Sequence, residues 1–504
     1  MSPLIRTFVA SILVLAALSL AIVPAGTAAV IRVPADQPTI QAGINAALPG
    51  DMVLVAPGTY SGPGNQGLDL LGKDIAVVSE SGPQVTILDG QGSGNGFAIH
   101  LAETRAALVE GFTMQNGVGG IFIHLASPTI RNCVVTGSLS LGLQVMGQDY
   151  PPSTPRPDPI IEGCTFQDNA GDGLVLREAP LGVFRDCTFI GNGERGIRIE
   201  SGYWGGGSQV FERCTIAANA AGGVNLLFYG QPTFTDCVIR DHSGRGVDEN
   251  SESGRPTFRR CTFLRNAGGA YSHGRMDGRG AAFEDCTFEA NSGQAGAALY
   301  FGNVVPPPSG ASVLRCRFVG NSATNQGGAI AVGFGQLVVE ESVFWNNTVG
   351  QSGGAVATSE ADVTLRSSTI VGSSAPRGAG LAELEFPNTL ILDRTIIAYS
   401  VSGEAMACAP FGSPSVTATC CDFYGNAGGD WVGCVAALNG TNGNIAADPR
   451  FCNLQSGDLT IAEESPCAPA QSGGCGLIGA LPPACQTSAV EPATWGQVKA
   501  RFSL

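Results

Sequence analysis

The stretch Phe184-Arg-Asp-Cys-Thr-Phe-Ile-Gly-Asn192 decides the fold, because its pattern recurs along most of the chain. Eleven segments carry a Cys or Ser that is followed two residues later by an apolar residue. They begin at Cys133, Cys164, Cys187, Cys214, Cys237, Cys261, Cys286, Cys316, Ser342, Ser368 and Cys421, and the first ten are 23 to 31 residues apart. A repeat of that length is one structural unit that cannot bury its own apolar face, so it must stack on its neighbours.

Each repeat combines an alternating strand with a corner. Alternate residues of a strand point to opposite sides, so Cys187 and Phe189 face inward and Thr188 faces outward. A further apolar residue, Phe184, lies three positions before the cysteine. Residues that are an odd number of positions apart point to opposite sides of a regular strand. If both face inward, the backbone must turn or bulge between them. The repeat therefore predicts an all-β fold, a right-handed parallel β-helix with three short strands in each turn.

Two further rows of residues support stacked turns, which we call rungs. We call the Cys or Ser that begins each repeat segment the ladder cysteine. Asparagine follows it by five residues at Asn169, Asn192, Asn219, Asn266, Asn291, Asn321, Asn347 and Asn426. Asparagine suits a tight corner, and its stacked copies should form an amide ladder; His242 at this position should be a corner residue and not a base. The residues before the cysteines alternate in charge, at Asp186, Arg213, Asp236, Arg260, Asp285, Arg315 and Glu341. In stacked rungs each charged residue would lie between two residues of opposite charge. We therefore interpret this row as fixing the register of the rungs.

The two ends of the chain carry different signals. Residues 1–29 are typical of an export signal peptide, with a retained membrane anchor as the alternative. Residues 30–60 should form a capping helix, with Asp36 as N-cap, and the first rung. The β-helix should cover residues 61–405, cysteine-rich last rungs and a C-terminal cap 406–485, and a linker with a tail 486–504. Trp495, Val498 and Phe502 share a helical face, which favours a tail for anchoring or for the secretion machinery; a disordered end is the alternative.

The sixteen cysteines form two sets of eight. The first set occupies consecutive repeats and should be buried as small apolar side chains, not as metal ligands or nucleophiles. The second set is Cys408, Cys420, Cys421, Cys434, Cys452, Cys467, Cys475 and Cys485. An even number in an exported segment predicts disulfides, and we favour local links such as Cys475 with Cys485. No tight Cys-x-x-Cys pair occurs, so a zinc site is not expected.

The composition narrows the class of partner. The net charge is −15, and only Lys73 and Lys499 are lysines. Nucleic acid is therefore not an expected partner, because phosphate binding needs a basic stripe. Glycine reaches 71 residues and charged residues only 14%, which suits a turn-rich β protein. We expect a monomer.

Three segments resemble a known family. Ile31-Arg-Val-Pro-Ala-Asp-Gln-Pro-Thr-Ile-Gln-Ala and Gly50-Asp-Met-Val-Leu-Val-Ala-Pro-Gly-Thr-Tyr60 closely resemble the N-terminal segment of pectin-lyase-like right-handed β-helix proteins. The Cys/Phe/Asn and Gly-Gly-Ala repeats resemble those of bacterial surface β-helix and polymorphic outer-membrane proteins. Asn444-Ile-Ala-Ala-Asp-Pro-Arg-Phe451 resembles the closing segment of exported β-helix proteins that end in a sorting tail. The resemblance covers roughly residues 30–485 and implies the fold and an extracellular or cell-surface location. It does not imply one activity, because the scaffold carries lyases, hydrolases, adhesins and inert surface proteins.

The catalytic signatures of this scaffold are missing from the sequence. The paired aspartates, Gly-His-Gly and Arg-x-Lys of polygalacturonase-like hydrolases do not occur, nor does the Asp-Pro-His-type epimerase motif. A lyase needs a basic side chain and often calcium held by aspartates, and Lys73 is the only lysine of the column. His273 and Arg275 are weak candidates for catalysis. We expect no cofactor and no metal, except calcium if the protein is a lyase.

A set of predicted protruding loops is the best candidate for ligand binding. Its residues are Asp149, Tyr150, Tyr203, Trp204, Tyr229, Asp248, Glu249 and Tyr271, together with His273 and Arg275. Loops inserted at the same position of successive repeats emerge on the same face of the column. There, aromatic rings can stack on sugar rings and charged groups can bind sugar hydroxyls. The alternative is that the loops only pack on one another.

The leading functional hypothesis is an exported bacterial surface protein that is non-catalytic and contacts glycans or other surfaces as a binding, adhesion or envelope component. The competing hypothesis is a polysaccharide lyase acting on an acidic polysaccharide; a glycoside hydrolase is the less favoured enzymatic alternative. A purely structural envelope protein is the third.

Overall fold

A computed structural model describes residues 28–148, 156–202, 207–251, 254–274, 280–302, 310–385, 388–410 and 415–485. The chain winds into a right-handed parallel β-helix of about 16 turns, which confirms the predicted fold. Each typical rung contributes one strand to each of three faces. The predicted signal peptide and tail lie outside the described residues, apart from residues 28 and 29, and both remain predictions.

The faces are named here in the order in which the chain meets them after the asparagine corner. The first face consists of Leu68–Asp69, Asn95–Ile99, Gly119–His124, Leu143–Met146, Leu174–Arg177, Arg195–Glu200, Gly222–Phe228, Val247–Ser251, Tyr271–His273, Leu299–Phe301, Leu381–Glu383 and Met406–Ala407. The second face consists of Val30–Val33, Met52–Val55, Ala76–Ser79, Leu108–Glu110, Thr129–Arg131, Ile160–Glu162, Val183–Arg185, Val210–Glu212, Thr233–Thr235, Thr257–Arg259, Ala282–Glu284, Ala311–Leu314, Thr389–Asp393 and Ser415–Thr419. Two long strands, Ile330–Glu340 and Val356–Arg366, run through both faces and join them into one sheet.

The third face is a separate sheet of 15 parallel strands. Its strands are Gly58–Ser61, Thr86–Asp89, Thr113–Gln115, Val134–Thr136, Thr165–Gln167, Thr188–Ile190, Thr215–Ala217, Val238–Arg240, Thr262–Leu264, Thr287–Glu289, Arg317–Val319, Val343–Trp345, Thr369–Val371, Ile396–Ala398 and Asp422–Tyr424. Two small sheets complete the fold, Ser292–Ala295 with Ser322–Gln326 and Thr348–Val349, and Phe451–Asn453 with Asp458–Ala462 and Pro483–Cys485. Within the described residues, the helices are Ile40–Ala46 and two short 3₁₀ turns, Gly433–Leu438 and Leu454–Ser456.

The predicted corner before each ladder cysteine is a single residue in the left-handed region. The backbone φ at Asp186, Arg213, Asp236, Arg260, Asp285, Arg315 and Glu341 lies between 50° and 56°. The alternating charges meet as predicted, but each arginine pairs with the aspartate of the preceding rung and not with both neighbours. Arg213 Nε, for example, lies 2.7 Å from Asp186 Oδ1. The arginine lowers the pKa of Asp186 through this hydrogen bond.

The column interior contains continuous rows of identical side chains. Phe166 stacks on Phe189 at 5.3 Å between ring centroids, and Phe263 stacks on Phe288 at 4.7 Å. The eight cysteines of the first set are reduced and at most 1% exposed. In the asparagine row, the side-chain Nδ2 of one rung donates to Oδ1 of the next, as from Asn291 to Asn321 at 3.0 Å. The predicted stacking is confirmed.

The N-terminal helix caps the open end of the column but begins later than predicted. Thr39, not Asp36, is the N-cap, because its hydroxyl accepts from the Ala42 N–H. The Asp36 carboxylate instead accepts from the Arg32 N–H. Lys73 donates to carbonyl oxygens at the end of the helix. No helix of the described residues is long and apolar enough to cross a membrane.

The C-terminal cysteines form three disulfides, Cys408–Cys434, Cys420–Cys475 and Cys452–Cys485. The predicted link between Cys475 and Cys485 is wrong, and Cys421 and Cys467 are not oxidised. Cys421 is a ladder cysteine inside the column, so its thiol faces the core. Cys467 is also buried, and its thiol donates to Asp422.

The C-terminal segment covers the side of the column as well as its end. Trp431 stacks on Phe423 at 4.0 Å and closes the last rung. The chain then folds back over the third face, where the Ala480 N–H donates to the Thr369 hydroxyl and Gly457 lies against Trp345. The expected end cap is therefore also a lateral cover, because the outward residues of the third face become apolar in the last rungs.

Candidate functional site

The candidate site arises where the cross-section of the column widens. After Asn266, only residues 267–269 precede the next buried alanine, Ala270. After Asn291 the corner lengthens to residues 292–296, and after Asn321 it lengthens to 322–328. The longer corners pair as the small parallel sheet Ser292–Ala295, Ser322–Gln326 and Thr348–Val349, which we call the ledge.

A groove of about 760 Å³ lies at the step between the short corners and the ledge. It is lined by Gly244, Arg245, Ala267, Gly268, Gly269, Tyr271, Ser272, Ser292, Gly293, Gln294, Ala295, Gly296, Tyr300, Thr324, Asn325 and Gln326. We call it the ledge groove. Gly268 is required by close packing, since a Cβ there would lie 2.7 Å from the carbonyl carbon of Gly244.

The walls of the ledge groove carry hydroxyl and amide groups on exposed or half-buried side chains. Gln294, Thr324 and Asn325 are exposed on the ledge, and Tyr300 is half-buried on the first face. No aspartate, glutamate or lysine is among the described residues that line it, and Arg245 is the single arginine. The groove therefore offers many neutral hydrogen-bonding groups beside an aromatic ring.

Asp248 connects the groove to a charged network on the first face. Its carboxylate accepts from Arg245 Nη1 at 2.7 Å, and its other oxygen lies 3.7 Å from Arg195 Nη1. The network continues beyond these residues through the Arg198–Asp172, Arg198–Glu200 and Arg177–Glu200 ion pairs. Four arginines therefore share three carboxylates on this face.

Two predicted ligand-binding residues, Glu249 and Tyr271, and the catalytic candidate His273 lie inside the column. Glu249, Tyr271 and His273 have no exposed side-chain surface. The Tyr271 hydroxyl donates to Glu249, and burial raises the pKa of Tyr271 well above its usual value. His273 Nδ1 lies 3.6 Å from Glu249 Oε2, outside hydrogen-bonding distance, and neither ring nitrogen has a hydrogen-bond partner. The expectation that these side chains project from loops is therefore wrong, because they point inward from first-face strands.

The remaining predicted residues divide into two groups. Asp248 and Tyr229 are partly exposed, and Asp248 lies beside the groove through Arg245. Asp149, Tyr150, Tyr203, Trp204 and Arg275 lie outside the described residues. Sequence reasoning missed Arg245, Gln294, Tyr300 and Asn325. The signal that could have found them is the growing distance between each ladder asparagine and the next strand.

The described part of the chain contains no group of three or more His, Cys, Asp or Glu side chains that could hold a metal ion. The calcium site considered for a lyase is therefore not assembled by these residues.

Several solved structures align with this chain at TM-scores below 0.5. The Agl-KA catalytic domain aligns with a TM-score of 0.42 and 16% identity, over 68% of this chain and 65% of that chain. The catalytic unit of a GH87 α-1,3-glucanase from Streptomyces thermodiastaticus aligns with a TM-score of 0.41 and 15% identity, over 82% and 71% of the two chains. Pectate lyase Pel9A aligns with a TM-score of 0.37 and 15% identity, over 64% of this chain and 77% of that chain. At these values the likenesses do not bear on activity.

No curated protein sequence matches the chain. The family model of the right-handed β-helix region, in contrast, matches residues 84–263, 153–305 and 202–344. These overlapping matches span residues 84–344, a little over half of the chain. With the stacked rungs described above, they show that the chain belongs to the right-handed β-helix family.

Proposed function

We propose that this protein is an exported, non-catalytic glycan-binding protein that holds a polysaccharide segment in the ledge groove. The observation that carries the proposal is the lining of the groove, in which hydroxyl and amide side chains surround Tyr300. Sugar-binding sites need such a combination, because hydroxyl groups require donors and acceptors while the faces of sugar rings pack on aromatic rings.

The groove suits a polymer because it is open and built from stacked rungs. Gln294 and Gln326 lie on neighbouring ledge strands that are paired in parallel. Adjacent strands are about 4.8 Å apart, a spacing comparable with the length of a sugar unit, and the register places Ala295, the neighbour of Gln294, beside Gln326. Each primary amide supplies both donors and an acceptor, which matches vicinal hydroxyl groups.

The described titratable groups near the groove do not favour catalysis. His273 is fully buried, and the carboxylates of Asp172, Asp248 and Glu200 are held by arginines. A general base must reach the proton that it removes, and these groups either lie inside the column or carry a bound guanidinium. Lys73 donates to a carbonyl oxygen of the N-terminal helix, near the start of the column and not at the groove. The lyase hypothesis therefore gains no support from the described residues.

The proposed location is outside the cytoplasm. The export-like residues 1–29 and three disulfides in the C-terminal region support it, because structural disulfides persist in oxidising compartments. The proposed tail at residues 486–504 would follow Cys485, which is fixed to Cys452 at the side of the column.

Affinity electrophoresis of the mature protein in gels that contain soluble polysaccharides tests this proposal. Tyr300→Ala and Gln294→Ala should each weaken retention by about tenfold, since each removes a ring or an amide from the groove. Gln471→Ala, an exposed glutamine in the C-terminal region, is the matched control and should behave as wild type. Unchanged retention in both groove variants would contradict the groove assignment. Release of unsaturated or reducing-end products by the wild-type protein would contradict the non-catalytic role.

A further inference from the structure

We infer that the ledge groove selects neutral glycans and that Asp248 is the residue that excludes polyuronates. This inference rests on the proposed function and adds the class of ligand. It depends on three features of the groove and its surroundings, namely the state of its arginine, the composition of its lining and the charge of the protein.

The arginine beside the groove is already occupied. Arg245 Nη1 lies 2.7 Å from Asp248 Oδ1, and Arg195 Nη1 lies 3.7 Å from the other oxygen of the same carboxylate. The Asp248 side chain is 19% exposed and the Arg245 side chain 48%, so the carboxylate is shielded from water while the guanidinium remains open to solvent. A uronate carboxylate that approached Arg245 would have to compete with Asp248 for the guanidinium. Arg–carboxylate pairs are strong and directional, so the internal carboxylate has the advantage of being held in place.

The arginines farther along the first face are occupied as well. Arg198 pairs with Asp172 and Glu200, and Arg177 pairs with Glu200 at 2.7 Å. An anionic polymer that continued from the groove along this face would meet guanidinium groups that are already paired with carboxylates. The four arginines of this network exceed its three carboxylates by one charge, but each guanidinium lies within 4 Å of a carboxylate, with which an anionic ligand would have to compete.

The lining itself favours uncharged sugars. Gln294, Asn325 and Gln326 provide amides, and Thr324 and Ser292 provide hydroxyls. These groups can both donate and accept hydrogen bonds, whereas a carboxylate ligand can only accept. The net charge of −15 further opposes an approaching polyanion at low ionic strength.

Asp248→Asn provides a test by gain of function. The change keeps the size of the side chain and leaves Arg245 and Arg195 without their carboxylate. We expect the variant to gain retention on polygalacturonate by about 10- to 100-fold, while its retention on a neutral glucan changes far less. The gain should fall between 20 and about 200 mM salt, because it would be electrostatic. Circular dichroism and the melting temperature check that the variant is folded.

Glu200→Gln is the matched control. It makes the same change in net charge and also frees guanidinium groups, but the partners of Glu200, Arg177 and Arg198, do not line the groove, whereas Arg245 does. We expect no comparable gain for this variant. An equal gain in Glu200→Gln and Asp248→Asn would overturn the role of Asp248, because charge alone would then explain it.

The wild-type protein provides an independent measurement that does not depend on either variant. The inference requires stronger retention on at least one neutral glucan, xylan or mannan than on polygalacturonate or alginate. Stronger retention on a polyuronate that Tyr300→Ala abolishes would overturn the inference and leave the proposed function standing. Absence of retention on every neutral and acidic polymer would overturn the proposed function itself.

Discussion

His242 interrupts the asparagine ladder, and replacing it with asparagine should stabilise the protein. On one side, the Asn219 N–H donates to His242 Nδ1 at 3.1 Å, and the other ring nitrogen lies 3.2 Å from the Ile216 carbonyl oxygen. On the other side the row is broken, because the buried Oδ1 of Asn266 has no hydrogen-bond partner. The ladder resumes only with the bond from Asn266 Nδ2 to Asn291 at 2.9 Å.

The magnitude follows from the bonds of the intact rungs. At Asn192, for example, Oδ1 accepts both N–H and Nδ2 of Asn169, while Nδ2 donates to the Phe166 carbonyl and to Asn219. An asparagine at 242 restores this pattern, which adds side-chain bonds to Asn219 and Asn266. Each buried bond contributes about 1 kcal/mol, so His242→Asn should raise the free energy of unfolding by about 2 kcal/mol.

The effect should also depend on pH. Burial lowers the pKa of His242, so the folded protein holds the neutral imidazole while the unfolded chain titrates near its usual pKa of about 6.5. Below that pH the unfolded state binds more protons, and the free energy of unfolding of the wild type falls. Asparagine does not titrate. The advantage of His242→Asn should therefore grow as the pH falls from about 7 to 5.

Urea denaturation followed by circular dichroism at pH 7.5 and pH 5.5 measures both effects. Asn219→His, which inserts a second imidazole into the ladder, is the reciprocal variant and should destabilise the protein. If His242→Asn is less stable than wild type at both pH values, filling the space of the imidazole matters more than the amide bonds, and the reasoning about the ladder is refuted.

Two further predictions concern buried side chains of the column. Burial raises the pKa of Asp422 to about 7, so between about pH 4 and 7 the folded state binds more protons and the free energy of unfolding falls as pH rises. Asp422→Asn should remove this slope and add up to about 4 kcal/mol at pH 8, as measured by urea denaturation at pH 4.5 and 8; an unchanged slope would contradict it. At the ladder cysteine, Cys261→Ser should change stability by less than about 1 kcal/mol, because Ser342 occupies the same position and accepts from the Cys316 N–H. Cys261→Ala should lose about 1–3 kcal/mol in the same assay, and equal losses in both variants would argue against a hydrogen-bonding role of the thiol.

The repeat made the column predictable because each rung carries the same local information. Phe166 and Phe189 stack, Asn192 forms its amide bonds, and Asp186 occupies the left-handed corner, as the pattern required. The presence of disulfides near the C-terminus was predicted and is confirmed, but their pairing was not predictable. Cys420 reaches Cys475 only because the chain folds back over the third face, and nothing in the local sequence specifies that path.

The error at the candidate site has a different cause. Val247 is an inward residue of the strand Val247–Ser251, so the alternation used for Cys187 and Phe189 also places Glu249 inward. Treating Glu249 as a loop residue ignored that rule. The same reasoning applies to His273, which shares a side of its strand with Tyr271.

The ledge groove was overlooked for a third reason. The sequence search followed aromatic and charged residues, whereas the groove is produced by a change in corner length after Asn291 and by small residues such as Gly268. Its binding groups are amides and hydroxyls, which are common on any polar surface and acquire meaning only from the step in the column.

Hydrogen–deuterium exchange of the wild-type protein with and without a retained neutral oligosaccharide tests the central claim most directly. If the ledge groove holds the glycan, amide exchange should slow in residues 292–296 and 322–326 and in the adjoining corner 267–269, because these segments line the groove. Protection confined to another face, with these three segments unchanged in the presence of saturating ligand, would contradict the account.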